Sequence, residues 1–204
     1  FKEDNTRKFY HTCGTISGIT ITWTNATLIS GATPESEAAR TNTAKNWGFM
    51  VGNDKLLVVY KTSSSATTFS YVFGKQSGSS STWGSVGTNS TVNAMYMWMS
   101  GIQWSKQIDA FIVVYEDGSD NLDYSILYPN TASNALSSSS VNNTISTNSS
   151  GANANTTMVL DYESGRDVMT VIYHYGGGAY CYLKAISFQT VSYTHLRAHE
   201  TSYD

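Results

Sequence analysis

The residues of this chain that could carry chemistry are a few tryptophans, a set of regularly spaced aspartates and isolated histidines. Trp83 and Trp104 fall in or near connections between apolar runs, where an indole face could stack on a sugar ring or another planar ligand. Packing between neighbouring β units is the alternative role, because aromatic side chains also dominate interface energetics. Trp83 and Trp104 are therefore the candidate ligand-binding residues.

Three aspartates recur in the same local context, four residues before a Val-Val-Tyr or Val-Ile-Tyr run. They are Asp54, Asp109 and Asp167. A ring of carboxylates or a set of calcium ligands is one interpretation, but regular placement at a turn favours Asp side chains that accept hydrogen bonds from nearby backbone N–H groups. The acidic turn at residues 117–123 lacks the glycine position and the terminal Glu of an EF-hand loop. We therefore predict no metal site.

No set of residues amounts to a catalytic signature. His11 and His174 each lie in a predicted strand beside tyrosines, and no Asp and Ser arrangement completes a triad around either histidine. The chain has no Gly-x-Ser-x-Gly motif and no phosphate-binding loop. The carboxylate pair of a glycosidase is assembled in space and leaves no local spacing, so an enzyme remains the second hypothesis. The sequence favours a non-enzymatic protein, without catalytic residues and without a cofactor.

Composition describes a neutral, hydroxyl-rich and β-prone chain. Charged residues make up 13% of it, about half the usual share, and Tyr occurs 14 times. The net charge of -3 includes no basic block, which argues against nucleic acid as a partner. No stretch approaches the roughly 18 apolar residues that a membrane-spanning helix needs, so we expect no membrane span.

The two cysteines, Cys13 and Cys181, lie far apart in the sequence. A disulfide between them would require two separate repeat units to meet in space, because paired Cα atoms must lie close together. Neither cysteine has a Cys-x-x-Cys neighbour, which argues against structural zinc.

Internal repetition is the most informative feature of the sequence. Similar β-branched runs that end in Tyr occur at residues 58–60, 113–115 and 171–173. Val58 and Val113 are 55 positions apart, and Val113 and Val171 are 58 positions apart. A near-constant period of that size is typical of one propeller blade or a comparable four-strand unit.

Each copy is predicted to contain four strands. The first strand is an apolar run, at Trp47 to Val51, Ala94 to Met99 and Thr157 to Tyr162. The second strand is the Val-Val-Tyr run, the third is aromatic and alternating, and the fourth is rich in Ser and Thr. The amino-terminal segment supplies the last two strands of a preceding copy, residues 9–13 and 19–23. The one candidate helix is Pro34 to Arg40.

These patterns predict an all-β protein of repeated four-stranded antiparallel units, arranged as a partial β-propeller. A stacked array of β-sheets or a β-sandwich is the alternative fold. A unit of this kind cannot bury both of its faces alone, so it must pack on its neighbours. The expected boundaries are a partial repeat at 1–33, repeats at 34–92, 93–150 and 151–190, the last truncated, and a tail at 191–204.

The tail resembles an in-frame translation of a transposase-type sequencing adaptor. The residues that carry this resemblance run from Val191 to Thr201. The resemblance implies an open reading frame from a fragmented environmental library, and it excludes His195 and His199 from functional consideration.

The repeated strands and the turn Gly14-Thr15-Ile16-Ser17-Gly18 resemble blade-like β-repeat proteins of marine phage and bacterial metagenomes. That resemblance implies a phage tail-fibre or surface-adhesion component, which attaches to a glycan or a cell-surface ligand. It also implies an extracellular or virion-surface location, with neighbouring repeats of a parent chain as partners. The second hypothesis is a fragment of a propeller-type glycosidase or sialidase-like enzyme, and the third is a purely architectural spacer.

Overall fold

The computed structural model confirms that the chain is all-β. It describes residues 2–3, 7–34, 47–63, 65–89, 94–117, 119, 121–130, 132–133, 135–137, 143–147, 160–163, 168–174 and 181–187. Within these ranges the chain forms strands and turns and no helix, so none of them contains a helix that could cross a membrane. The predicted helix at 34–40, apart from Pro34, and the tail at 191–204 lie outside the described residues.

The strands group into several antiparallel sheets. In chain order they are β1 (Lys2–Glu3), β2 (Lys8–His11), β3 (Gly14–Ser17), β4 (Thr20–Trp23), β5 (Thr27–Ile29), β6 (Trp47–Gly52), β7 (Lys55–Tyr60), β8 (Phe69–Ser77), β9 (Ser80–Asn89), β10 (Ala94–Ser105), β11 (Ala110–Asp117), β12 (Leu122–Asn130), β13 (Ala135–Ser137), β14 (Asn143–Ser146), β15 (Leu160–Glu163), β16 (Val168–His174) and β17 (Cys181–Ser187).

Strands β6 to β9 form a four-stranded antiparallel meander, which we call the first unit. A two-residue turn, Asn53 and Asp54, joins β6 to β7, and Asn53 has a φ of 57°. Asn tolerates this left-handed conformation better than most residues do. Gly78, with a φ of 58°, opens the two-residue turn between β8 and β9. Residues 77–81 are therefore this turn and the strand ends beside it.

The second unit comprises β10 to β14, in which β12 pairs with β11, β13 and β14. Its first strand was expected to end at Met99, and that prediction was wrong because β10 continues to Ser105. The pairing with β11 shifts register between Met97 and Ile102, so residues 98–101, which include Ser100 and Gly101, form a β-bulge and do not end the strand. The third unit comprises β15, β16 and β17.

The amino-terminal sheet has three strands, in the order β1-β2-β5. Residues 19–23 were predicted to complete this sheet beside residues 9–13, but β4 pairs with β3 in a separate two-stranded hairpin. Strand β2 pairs with β5 instead, with Phe9 opposite Ile29. Thr24 N–H donates a hydrogen bond of 2.8 Å to the carbonyl of Cys13, which links the two pairs of strands. The segment is therefore one long hairpin with an interruption near Cys13.

Three apolar clusters lie between successive sheets. The cluster between the amino-terminal sheet and the first unit contains Phe9, Ile29, Ala32, Val58, Tyr60 and Val72. The cluster between the first and second units contains Leu57, Val59, Phe69, Phe73, Ile102, Trp104, Phe111, Val113, Tyr115, Leu127 and Leu136. The cluster of the second and third units contains Ile112, Val114, Leu122, Ile145 and Val171. Successive sheets therefore bury apolar side chains against one another.

The second strands alternate between these clusters. Val58 packs against the preceding sheet, whereas Val59 packs against the following unit. In the second unit, Val113 packs against the first unit and Val114 packs against the third unit. Val171 of the third unit packs against the second unit. Because neighbouring strand residues point to opposite faces, one strand serves two interfaces. We say that a side chain faces back when it packs toward the preceding unit, and faces forward when it packs toward the following one.

Two equivalent tyrosines occupy equivalent surroundings. Tyr60 meets the ring of Phe9 edge-on at 5.5 Å between ring centroids, and Tyr115 meets Phe69 at 6.1 Å. Phe9 and Phe69 are 60 positions apart, at the same place in their units. Burial raises the pKa of both tyrosines, that of Tyr115 to about 12. The second-strand Tyr of one unit thus packs on the third-strand Phe of the preceding unit.

The first strands of the units lie next to one another, since β10 contacts both β6 and β15. No sheet among the described residues closes on itself into a barrel.

Candidate ligand-binding site

Trp104 lies in the core. Its side chain is only 5% exposed, and its ring packs edge-on against Phe111 with the centroids 4.7 Å apart. A Cβ added to Gly52 would lie 2.2 Å from the indole, so the Trp104 ring covers that glycine closely. The expectation that Trp104 offers an exposed face was therefore wrong, because the longer β10 strand carries it between two sheets.

Trp83 lies in β9, close to the turn, and is partly buried. Its ring meets the imidazole of His11 edge-on at 5.6 Å between ring centroids. It packs against the cluster between the amino-terminal sheet and the first unit, and its indole N–H is buried. Trp83 therefore supports the neighbouring His11 side chain, and a ligand-binding role for it stays a prediction.

The repeated aspartates lie at exposed turns, as expected, but their described contacts are to a lysine. The ammonium group of Lys55 lies 3.2 Å from a carboxylate oxygen of Asp109 and 3.6 Å from one of Asp54. It also lies 5.0 Å from the centroid of the Trp104 ring, in cation–π range. Lys55 therefore connects the turns of two successive units. Asp167 lies outside the described residues.

The acidic turn is a local backbone cap. One carboxylate oxygen of Asp117 accepts hydrogen bonds of 2.8 Å from the backbone N–H groups of Ser119 and Asn121. The other oxygen accepts 3.1 Å from the Asn121 amide. Asp120 lies outside the described residues, and among those that are described no three His, Cys, Asp or Glu side chains are grouped to hold a metal ion.

A polar cleft opens where the amino-terminal sheet meets the turn between β8 and β9. We call it the His11 cleft, and its volume is about 350 Å³, within the range of small-ligand sites. None of its lining residues is Asp, Glu, Lys or Arg. They are His11, Cys13, Thr24, Asn25, Thr27, Ser79, Ser80 and Ser81.

His11 sits at the centre of this cleft. Its Nδ1 lies 3.0 Å from the hydroxyl of Ser81, and its Nε2 lies 3.7 Å from the thiol sulfur of Cys13. Burial lowers the pKa of His11, and repulsion from the amino-terminal charge lowers it further. The neutral imidazole is therefore the favoured form, with one nitrogen able to accept and the other able to donate a hydrogen bond.

Thr24 holds one wall of the cleft in place. Its hydroxyl oxygen accepts a 3.0 Å hydrogen bond from the backbone N–H of Cys13, and its carbonyl accepts one of 2.7 Å from the hydroxyl of Thr12. Cys13 itself is buried and its thiol is free. Because the Cys13 thiol is free, the structure contains no disulfide between Cys13 and Cys181. The side chain of Cys181 lies outside the described residues.

His11 also lines a second, more apolar pocket. Its volume is about 140 Å³, and its lining includes His11, Tyr10, Phe49 and Val58. The ring of Phe49 lies 6.1 Å from that of His11 and is more than a third exposed. His11 is therefore shared by a pocket lined by hydroxyl groups and a pocket lined by apolar side chains.

No family model, curated protein or solved structure matches this chain. Because a fold alone does not define a function, the chemistry of the cleft is what supports one.

The sequence predicted that His11 lies in a strand beside a tyrosine, and it did not mark His11 as a ligand-binding residue. The signal that could have found the site is a 60-residue offset between residues 14–23 and 74–83, both of which read Gly-x-x-Ser-Gly-x-x-x-Thr-Trp. This offset aligns the two long hairpins of successive units. A prediction made from this offset would have placed Ser81 and Trp83 together on the back-facing side of their hairpin, which contacts His11.

Proposed function

We propose that this chain is part of a non-enzymatic β-repeat recognition module that binds an uncharged glycan in the His11 cleft. The observation that carries the proposal is a groove lined by hydroxyl and amide groups, without a charged side chain, beside an apolar pocket. A sugar presents both hydroxyl groups and a C–H face, so it fits a site with these two surfaces.

An uncharged ligand follows from the cleft itself. An anionic sugar would call for Arg or Lys to pair with its carboxylate, and neither residue lines the cleft. A glycosidase uses two carboxyl groups flanking the scissile bond. Neither Asp nor Glu lines the cleft, and we therefore do not propose the enzymatic alternative for this site.

We infer that the parent protein is a phage tail fibre or a surface adhesin of partial β-propeller form, exposed outside the cell or on a virion. Support comes from the face-to-face packing of successive sheets and from the adjacency of their first strands. In a propeller, blades of about four strands surround a central channel. The resemblance of the repeated strands to phage and bacterial β-repeat proteins points the same way.

A glycan array with the full chain tests the binding proposal. We expect retention on neutral oligosaccharides, and calorimetry with the best of them should show that Asn25→Ala and Ser81→Ala each weaken binding. Loss of one hydrogen bond, about 1 kcal/mol, corresponds to roughly fivefold. Thr82→Ala is the matched control, because Thr82 adjoins Ser81 but points to the opposite face of the hairpin. It should bind like the unmodified chain.

Three results would count against the proposal. One is absence of retention on every neutral glycan. Another is equal loss of binding in Thr82→Ala and in the cleft variants. The third is steep weakening of binding with added salt, because an uncharged ligand gains nothing from the Coulomb attraction that salt screens.

Trp83→Ala should also reduce retention, by releasing His11, whereas Trp104→Ala would disturb the core and says little about the cleft.

A further inference from the structure

The apolar pocket that His11 lines lies between two cross-strand pairs of different sheets. In the amino-terminal sheet Phe9 lies opposite Ile29, and in the first unit Phe49 lies opposite Val58. All four of these residues line the pocket. Cross-strand partners share a face of their sheet, and Val58 packs with Phe9 and Ile29 in one buried cluster. The pocket is therefore a gap in the interface between two successive sheets.

The equivalent place at the next interface is filled. There Phe69 lies opposite Asn89, each 60 positions after its counterpart, and Ile102 lies opposite Val113. Ile102 thus holds the place of Phe49. It is only 2% exposed and packs in the cluster that contains Phe69 and Val113, whereas Phe49 is 38% exposed. The open space beside Phe49 is a departure from the packing at the next interface.

The volume of the pocket indicates the size of its ligand. Protein interiors are packed as densely as organic crystals, so a gap between apolar surfaces loses dispersion contacts that an occupant would restore. The pocket has a volume of about 140 Å³. An engineered apolar cavity of about 150 Å³ binds benzene. The size of this pocket therefore matches one six-membered ring.

We propose that the apolar pocket binds a single-ring aromatic group without charge. The rings of Phe49 and His11 lie 6.1 Å apart between centroids with their planes tilted by 44°, so a ligand ring can meet them edge-on or offset. Phe9, Ile29 and Val58 form the buried wall, and none of the lining residues is Asp, Glu, Lys or Arg. This site goes beyond the proposed function, in which the pocket meets only the C–H face of a sugar.

Titration of the full chain with phenol, followed by nuclear magnetic resonance, tests the proposal. Phenol should cause saturable shifts of the His11 and Phe49 ring protons. Phe49→Ala should raise the dissociation constant about tenfold, because it removes one aromatic wall of the pocket. Val51→Ala is the matched control, since Val51 lies on the same face of β6, is similarly exposed and is not among the lining residues. It should bind phenol like the unmodified chain.

A pair of filling substitutions tests the pocket without a ligand. Val58→Ile adds a methylene group at the wall of an open pocket, so the urea midpoint should stay unchanged or rise, and phenol binding should weaken. Val113→Ile makes the same change at the equivalent position of the filled interface. Overpacking there should lower the urea midpoint.

The proposal is overturned if phenol shifts neither ring, or if Phe49→Ala and Val51→Ala bind phenol equally well. It is also overturned if Val58→Ile lowers the urea midpoint as much as Val113→Ile does, because the pocket would then be packed. Asn25→Ala changes the His11 cleft alone and should leave phenol binding unaltered, which separates this result from that of the glycan array. Far-ultraviolet circular dichroism establishes that each variant retains its β structure.

Discussion

His11 is the residue in which the chemistry of the candidate site concentrates. Its imidazole contacts a hydroxyl, a thiol and two aromatic rings, and these contacts come from both the amino-terminal sheet and the first unit. No charged partner is among these contacts to favour the protonated form. The state of this one ring therefore affects both the cleft and the packing around it.

The lowered pKa of His11 predicts how stability depends on pH. The folded chain holds this imidazole neutral more strongly than the unfolded chain does, so the unfolded state binds more protons below the ordinary histidine pKa of about 6.5. The contribution of His11 to stability is therefore complete above that pH and is lost as pH falls through the folded-state pKa. Nuclear magnetic resonance titration of the His11 ring protons should give a midpoint below that of a free histidine.

A variant isolates this contribution. Urea unfolding of His11→Gln should show a weaker loss of stability between neutral and mildly acidic pH than the unmodified chain shows. A His11 midpoint at or above the ordinary value, or identical pH profiles for the two proteins, would contradict the buried neutral imidazole.

The long hairpins show how one element adapts to different neighbours. Both pair a glycine with a tryptophan on the opposite strand, Gly14 with Trp23 and Gly74 with Trp83. In each hairpin the indole occupies the space that a side chain on the glycine would need. Aromatic cover of a strand glycine restores packing that the missing side chain cannot supply.

These two glycines should differ in their tolerance of alanine. A Cβ at Gly74 would lie 2.6 Å from the Trp83 ring and 2.7 Å from the carbonyl oxygen of Thr82. A Cβ at Gly14 would meet only side chains, at 2.9 Å and beyond, on an exposed hairpin that can adjust. Gly74→Ala should lower the free energy of unfolding by about 1–3 kcal/mol, the usual cost of overpacking.

Gly14→Ala serves as the matched comparison, since it makes the same change in the same register. It should cost less than about 1 kcal/mol, because exposed side chains can move aside. Urea denaturation of both variants measures the difference. Equal costs, or a larger cost at Gly14, would show that the two hairpins are not packed as described.

Sequence patterns located the strands well where β-branched and aromatic residues dominate. The second strands at residues 58–60, 113–115 and 171–173 were found because side chains buried on both faces read as continuous apolar runs. The end of β10 was missed because Ser100 and Gly101 resemble a break, while only the pairing with β11 reveals a bulge. That error misplaced Trp104.

The candidate site depends on contacts that local sequence cannot show. One cleft forms because two successive units pack together, and its lining residues are His11, Cys13, Thr24, Asn25, Thr27, Ser79, Ser80 and Ser81. These residues meet because the strand register places them on the hairpin faces that point toward each other. A one-residue shift in register would move them to the opposite faces. The 60-residue offset between the hairpins indicates which of their residues are equivalent. The repeat is hard to see because equivalent positions, such as Ile21 and Ser81, carry different residues.

At the scale of the whole molecule, the chain is a series of sheets joined by shared apolar interfaces. Each described interface uses back-facing residues of one second strand and forward-facing residues of the preceding unit. Proteins built from such repeats gain stability from each unit and from each contact between neighbours. The His11 cleft arises from this arrangement, because it lies between two members of the series.

Equivalent packing of successive units is best tested by nuclear Overhauser contacts between aromatic rings in the full chain. We predict cross-peaks between Tyr60 and Phe9 and between Tyr115 and Phe69, whose ring centroids lie 5.5 and 6.1 Å apart. Observation of both would establish that each second-strand Tyr packs on the third-strand Phe of the unit before it. Absence of either cross-peak in a well-folded chain would contradict the stacked arrangement on which the His11 cleft depends.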